Sequence, residues 1–175
     1  MSEKYKFFEG GLFFITLSVV GWIDVFSRKE YTEIIIKNLN YCIDNKGLIV
    51  CEFCVMPSHL HLICEAKKGS LGEIMRGFKS FSAKQILKEI TENPQESRRE
   101  WLLYMFRYFA NHHSHNAEFQ FWQQNNHPIS LESNKWIDEK TEYIWNNPVK
   151  AGIVNEPQNY IYSSANPFTE LKISR

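Results

Sequence analysis

In the stretch Met56-Pro57-Ser58-His59-Leu60-His61-Leu62, two imidazoles stand one residue apart directly after a turn that contains a proline. On an extended strand the side-chain period of two puts His59 and His61 on one face and both leucines on the other, so two nitrogen donors can approach a common divalent ion. The plainer alternative is a pair of solvated polar groups on a sheet surface, and a third donor would decide between the two. A partner is available in Glu142-Tyr143-Ile144-Trp145-Asn146-Asn147-Pro148, where Tyr143 and Asn147 are four residues apart and share one face of a helix. One turn would then carry a phenol able to attack as a nucleophile and an amide oxygen able to bind a metal. Taken alone, the segment also reads as an aromatic packing on a helix that stops at Asn-Pro.

Other chemistry-bearing residues point less firmly to a site. Cys51 and Cys54 have the C-x-x-C spacing of zinc and redox motifs, but they lie inside the strand-like run Leu-Ile-Val-Cys-Glu-Phe-Cys-Val. Residues three apart on a strand face opposite ways, so these thiols are expected to diverge and to be structural. With Cys42 and Cys64 they read as free thiols of a cytoplasmic protein. His112, His113 and His115 form a second histidine cluster in a polar link without periodicity, read as solvated or touching phosphate.

The elements that would position His59, His61 and Tyr143 follow from the hydrophobic pattern. Phe13 to Val20 reads as a strand, not a secretory signal, because no small-residue cleavage site follows. Lys29 to Asp44 reads as a helix closed by Gly47, and Leu48 to Val55 with His59 to Glu65 as an antiparallel hairpin. Ser70 to Glu92 is a helix with Leu71, Ile74, Phe78 and Phe81 on its apolar side, and Arg98 to Ala110 is another. Phe119 to Gln124 reads as a fourth strand, and Asn134 to Asn147 as a last helix, capped by Ser133 or Asn134 and stopped by Pro148. This order is an α+β class of the ferredoxin-like, split β-α-β kind: about four antiparallel strands, helices on one face, and a C-terminal helix bearing the tyrosine. The other face or its rim is left for ligands.

The 175 residues, 43% hydrophobic, suit a single domain spanning 1–175. No run reaches transmembrane length, so no membrane partner is expected. Twenty basic residues balance 20 acidic ones, so composition gives no general support for a nucleic-acid partner, and any DNA contact must come from local patches. The available cations are Arg76, Lys79, Lys84 and Lys88 on one helix and Arg98, Arg99 and Arg107 on the next, with Trp122 and Trp145 as stacking surfaces and a core position as the alternative for Trp122.

Taken together and in order, these motifs resemble a known family. Val55-Met-Pro-Ser-His-Leu-His-Leu-Ile-Cys64 is similar to the histidine–hydrophobe–histidine strand of the HUH single-tyrosine transposases. Phe121-Trp-Gln-Gln-Asn-Asn-His-Pro-Ile-Ser-Leu131, Glu142-Tyr-Ile-Trp-Asn-Asn-Pro-Val-Lys-Ala-Gly-Ile-Val154 and Tyr162-Ser163-Ser164 resemble the REP-associated tyrosine transposases. The resemblance runs from about Phe13 to Phe168. It implies His59 and His61 as metal ligands, Tyr143 as nucleophile, Asn147 as third ligand, Mg2+ or Mn2+ as the ion, and His127 among the DNA contacts. Related insertion-sequence enzymes have glutamine at the Asn147 position, and asparagine is common where this chain has Ser58. The implied activity is cutting and rejoining of single-stranded hairpin DNA through a 5′-phosphotyrosine, in a monomer or a homodimer. The rival expectations are a nucleic-acid-binding module without catalysis and a metal-dependent hydrolase that uses water.

Overall fold

The computed structural model describes residues 7–112, 118–126 and 128–174. Its elements run β1 (Phe13–Ser18), α1 (Lys29–Lys46), β2 (Leu48–Met56), β3 (His59–Ala66), α2 (Leu71–Glu92), α3 (Arg99–Asn111), β4 (Ile129–Ser130) and α4 (Asn134–Lys150). The strands form one antiparallel sheet in the order β2-β3-β1-β4. Leaving β2 and returning through β3 to the centre is the split β-α-β arrangement that the element order predicts.

Alternation along the strands makes two different faces. Phe13, Ile15 and Leu17 of β1 join Leu60, Leu62 and Cys64 of β3 in the main core, which α1, α2 and α3 cover. Tyr31, at the start of α1, donates its hydroxyl to Glu96 at 2.8 Å, and Arg28 Nε meets the same carboxylate at 2.9 Å, tying that layer to the link before α3. On the opposite face, Phe14, Ile63, Cys54 and Met56 pack with Leu131 and with Ile144 of α4. Ser133 caps α4 by accepting a hydrogen bond from the Trp136 N–H at 3.3 Å.

Four details differ from the sequence pattern. The fourth strand is Ile129–Ser130, paired with Phe13 and Phe14; Phe119 to Gln124 gives only the isolated bridge Val19–Trp122. Phe121 and Trp122 are consecutive and both buried, so that segment lacks the alternation of a half-buried strand. A register shift in β2 between Val50 and Glu52 breaks the period of two, so Cys51 and Cys54 both pack with the α4-side cluster instead of diverging; all four cysteines are free. Pro148 lies inside α4, which runs on to Lys150, because a proline this near a helix end forfeits a single backbone hydrogen bond and its ring is buried. Phe81 is exposed, and Met75, Ile86 and Ile90 complete the buried side of α2.

Beyond α4 the chain returns along β2. Val55 N–H donates to Tyr162 O and Ser164 N–H to Phe53 O, each at 2.9 Å, and the Tyr160 hydroxyl donates to Val55 O at 2.7 Å. Glu52 then accepts from the Trp145 indole N–H at 2.7 Å and from the Ser164 hydroxyl, which joins β2, α4 and the C-terminal segment in one polar knot. Replacing Glu52 by alanine removes the acceptor that the two donors share, leaving the Trp145 indole its 3.3 Å contact with Ser164 Oγ and the Ser164 hydroxyl the Phe53 carbonyl at 3.1 Å. It is expected to lower stability by about 1–3 kcal/mol in urea unfolding, with Glu52→Gln recovering part of the loss.

Candidate metal and tyrosine site

The hairpin register places His61 opposite Thr16 of β1 and Cys54 of β2, and His59 opposite Ser18 and Met56. Both imidazoles therefore project from the face that α4 covers, with ring centroids 4.7 Å apart. His61 is only 3% exposed. Its ring stacks on Phe14 at 5.5 Å and meets the Tyr143 ring edge-on at 5.2 Å. Tyr143 also touches Phe14 edge-on at 5.9 Å and is 40% exposed, so its ring is held while solvent or substrate can reach it. The histidines and the tyrosine are thus brought together within a single chain.

The nitrogen chemistry fits a metal. His61 Nδ1 is hydrogen-bonded to Thr16 Oγ1 at 2.9 Å, while Nε2 is buried and has no hydrogen-bond partner among the described residues. A buried orphan nitrogen is costly unless something ligates it, and a proton held on Nδ1 toward Thr16 leaves the Nε2 lone pair free. His59 Nδ1 is likewise bonded to Ser58 Oγ at 3.1 Å. Burial lowers the His59 imidazole to about 4; burial, together with positive charge from His59 and Lys140, lowers His61 to about 3. At neutral pH both rings are therefore uncharged, the form that binds a cation. Among the described residues no three His, Cys, Asp or Glu side chains converge, so a third ligand drawn from them would be of another type. Asn147 lies one helical turn beyond Tyr143; its Nδ2 donates to Tyr143 O at 3.3 Å, and its amide oxygen bonds to no described residue.

Residues 23–124 match the family model described as "Transposase IS200 like". The chain belongs to the IS200-like transposase family. The matched span contains His59 and His61 and ends before Tyr143. The fold is also similar to a solved REP-associated tyrosine transposase bound to a REP hairpin. That match covers 94% of this chain and 82% of the other, with a TM-score of 0.63 and 17% identity. Among curated proteins none matches the sequence.

For an IS200-like transposase the expected DNA contacts are scattered. Arg76 and Lys84 are exposed on α2, which packs on the sheet face opposite the histidines, so the fold does not bring them to the site. Trp122 is corrected from a stacking surface to a core residue: it is 5% exposed, and its indole N–H donates to Ser82 Oγ at 3.2 Å. Lys79 is corrected from a free cation to an internal strut, because its Nζ donates to Gln123 O at 2.6 Å and to Asn126 Oδ1 at 2.7 Å. Burial lowers that ammonium to about 8. His127, His113 and His115 lie outside the described residues; His112 Nδ1 bonds to Tyr108 O at 2.7 Å and stays with its own helix. Among the described residues no helix is long and apolar enough to cross a membrane.

Sequence reasoning missed the cations that do reach the tyrosine. Lys140 Nζ lies 4.8 Å from the Phe14 ring centroid and 5.6 Å from that of Tyr143, and Lys150 Nζ lies 5.8 Å from Tyr143. Helical spacing could have found Lys140, three residues before Tyr143 and so on its face. Lys150, seven residues after it, stands two turns away along the same side.

The lowered imidazoles set a pH window. In the unfolded chain they titrate near 6.5, so between there and about 4 the unfolded state binds protons that the folded site refuses, and stability falls as pH drops. Calorimetric titration with Mn2+ is expected to give the same affinity at pH 7.5 and 5.5, since neither folded ring charges in that range. A decline centred near pH 6.5 would show that the rings are solvated. His59→Ala with His61→Ala is expected to abolish the binding while keeping the circular dichroism spectrum.

Proposed function

We propose that this IS200-like transposase is a DNA nickase and strand-transferase that cuts single-stranded DNA beside an imperfect hairpin and holds the cut end on Tyr143. The observation that carries the reading is the Tyr143 ring set 5.2 Å from a buried histidine whose Nε2 has no hydrogen-bond partner among the described residues. The hairpin substrate is supported by the similarity to a solved transposase bound to a REP hairpin. Residues 1–175 act as one catalytic domain in the cytoplasm.

His59 and His61 would hold a divalent ion, with Asn147 as third protein ligand and water completing the set. Mg2+ or Mn2+ suits a mixed set of imidazole, amide and phosphate oxygens. When bound, such an ion polarises the scissile phosphate and offsets the charge that develops in transfer. Phe14 and His61 fix the Tyr143 ring so that its oxygen is presented to the phosphorus, which limits the entropy lost on reaching attack geometry. Lys140 and Lys150, with their ammonium groups 5.6 and 5.8 Å from the Tyr143 ring centroid, would offset negative charge that develops on a phosphate brought to the tyrosine. The tyrosine oxygen forms the new bond to phosphorus and gives up its proton; the 3′-oxygen leaves and is protonated to a 3′-hydroxyl. The phosphodiester's energy is kept in the 5′-phosphotyrosine, so an incoming 3′-hydroxyl can reverse the step without a nucleoside triphosphate.

Tyr143→Phe removes one exposed oxygen and keeps the ring contacts with Phe14 and His61, so folding and hairpin binding are expected to be unchanged. Cleavage of labelled hairpin DNA with Mn2+ is expected to fall by more than about a thousandfold, and the protein–DNA adduct on a denaturing gel to vanish. A variant that nicks at the wild-type rate would assign the chemistry to water. Wild-type protein that binds hairpin and metal without forming an adduct would make the chain a binding module.

A further inference from the structure

The loop that follows β1 is strained at a residue whose own burial does not explain it. Gly21 (φ 61°) and Trp22 (φ 54°) are consecutive left-handed residues in the short 3-10 turn Val20–Trp22. Glycine adopts this conformation freely, but for a bulky side chain it is an outlier that persists only where the surroundings enforce it. Among the described residues Trp22 is the one non-glycine with positive φ, and it is 57% exposed. The surroundings that enforce it belong to the histidine strand. Val19 N–H donates to Ser58 O at 2.9 Å and Phe26 N–H to Pro57 O at 2.8 Å, so both ends of the loop are tied to the turn that leads into His59. On the other side, a Cβ on Gly21 would come within 2.7 Å of the Phe109 ring, which leaves the loop backbone no room to relax toward α3. Held in this way, the Trp22 indole stands edge-on to His59, with ring centroids 5.2 Å apart.

Each histidine is therefore held twice, once by a hydroxyl and once by an aromatic ring. His61 has Thr16 Oγ1 on its Nδ1 at 2.9 Å and the Phe14 ring stacked on it at 5.5 Å. His59 has Ser58 Oγ on its Nδ1 at 3.1 Å and the edge-on indole of Trp22. A hydrogen bond fixes one point of an imidazole but not its plane, and a ring packed against it fixes the plane. Thr16 faces His61 in the β1–β3 pairing, so β1 and the loop after it reach both imidazoles. In both rings the hydroxyl takes Nδ1, while Nε2 bonds to no described residue. An imidazole that donates from Nδ1 to an oxygen offers its Nε2 lone pair, and the group that fixes this choice also orients the ring for a metal.

We propose that Trp22 is a positioning residue of the metal site, which the strained loop holds against His59 so that, with Ser58 and Thr16 on the two Nδ1 atoms, both histidines present Nε2 before any ion arrives. Trp22 thus does for His59 what Phe14 does for His61. An exposed indole gains little from its own burial, and the left-handed backbone is the cost of placing it over the ring. Strain of this kind collects where a fold pre-organises a binding site, and a site formed in advance loses less freedom when its ligand binds. The inference rests on the proposed function in taking His59 and His61 as ligands of a divalent ion. It adds a tryptophan and a threonine that act on the ion only through the histidines they hold.

The test needs neither DNA nor cleavage. Nitrogen-15 NMR of the metal-free wild-type protein at pH 7.5 is expected to show His59 and His61 each in a single tautomer with the proton on Nδ1. Trp22→Gly suits the left-handed backbone, so the unfolding temperature is expected not to fall, while Mn2+ affinity in calorimetric titration is expected to drop about tenfold. A tryptophan that merely packs would give the reverse, a lower unfolding temperature with the affinity kept. Trp22→Phe, which keeps an aromatic edge on His59, is expected to recover most of the affinity. Thr16→Val is expected to lower the affinity on the same scale and to move part of the His61 proton to Nε2, and Thr16→Ser to restore both. If Trp22→Gly fails to fold, the wild-type tautomers decide. Rings that exchange between tautomers in the wild-type protein, or Mn2+ affinity that survives Trp22→Gly in a folded protein, overturn the inference and leave the histidine metal site standing. Wild-type protein that binds Mn2+ no better than the His59→Ala, His61→Ala variant overturns both.

Discussion

The contact of Ile144 with Phe14, Cys54 and Ile63 is what makes a histidine strand and a tyrosine helix into one site. Successive residues on a helix are turned by roughly 100°, so once Ile144 points into the sheet its neighbours must flank it. Tyr143 falls on the side of the imidazoles, and Trp145 on the side of β2, where Glu52 accepts its N–H. The apolar contact sets the depth of the helix, and the polar one sets its rotation. The cluster is small beside the main core, so the site's geometry depends on few residues and is sensitive to each.

The same contact decides the electrostatics. Pressing α4 and Phe14 against β3 removes water from His61, and the lost solvation keeps the ring neutral where an exposed histidine would take up a proton. With both imidazoles uncharged, the local field is set by Lys140 and Lys150. A chain whose 20 basic and 20 acidic residues cancel can thus present a positive locus to an anionic substrate. Net charge is an average, and the average conceals the arrangement that matters for a phosphate.

The parts of this structure that were legible in the sequence are those with a strict period. Alternation at His59-Leu60-His61-Leu62 places two donors on one face, and the four-residue step from Tyr143 to Asn147 places the phenol and the amide on one side of a helix. The β-α-β-β-α order carries enough information to assign the sheet, because the strands that bury a full face are long and apolar. What escaped had no period. A bulge at Cys51 inverts the alternation without leaving a mark in residue type, and the two-residue β4 is too short to have a pattern. Lys79 and Trp122 have the residue types of DNA contacts, but partners distant in the chain, Gln123 and Ser82, claim their polar atoms. Left-handed geometry at Trp22 could not be read at all, since only its neighbour Gly21 has the residue type that signals it.

The return of Tyr162 to Ser164 along β2 has a consequence for assembly. β2 is the outer strand on its side of the sheet, and an open outer strand is a template onto which another chain can add. Here the hydrogen bonds from Val55 to Tyr162 and from Ser164 to Phe53, with the Cys54–Ser163 bridge, occupy the central stretch of that template. The opposite margin of the sheet is β4, only two residues long. Among the described residues, two copies of this chain therefore have little free strand through which to merge their sheets.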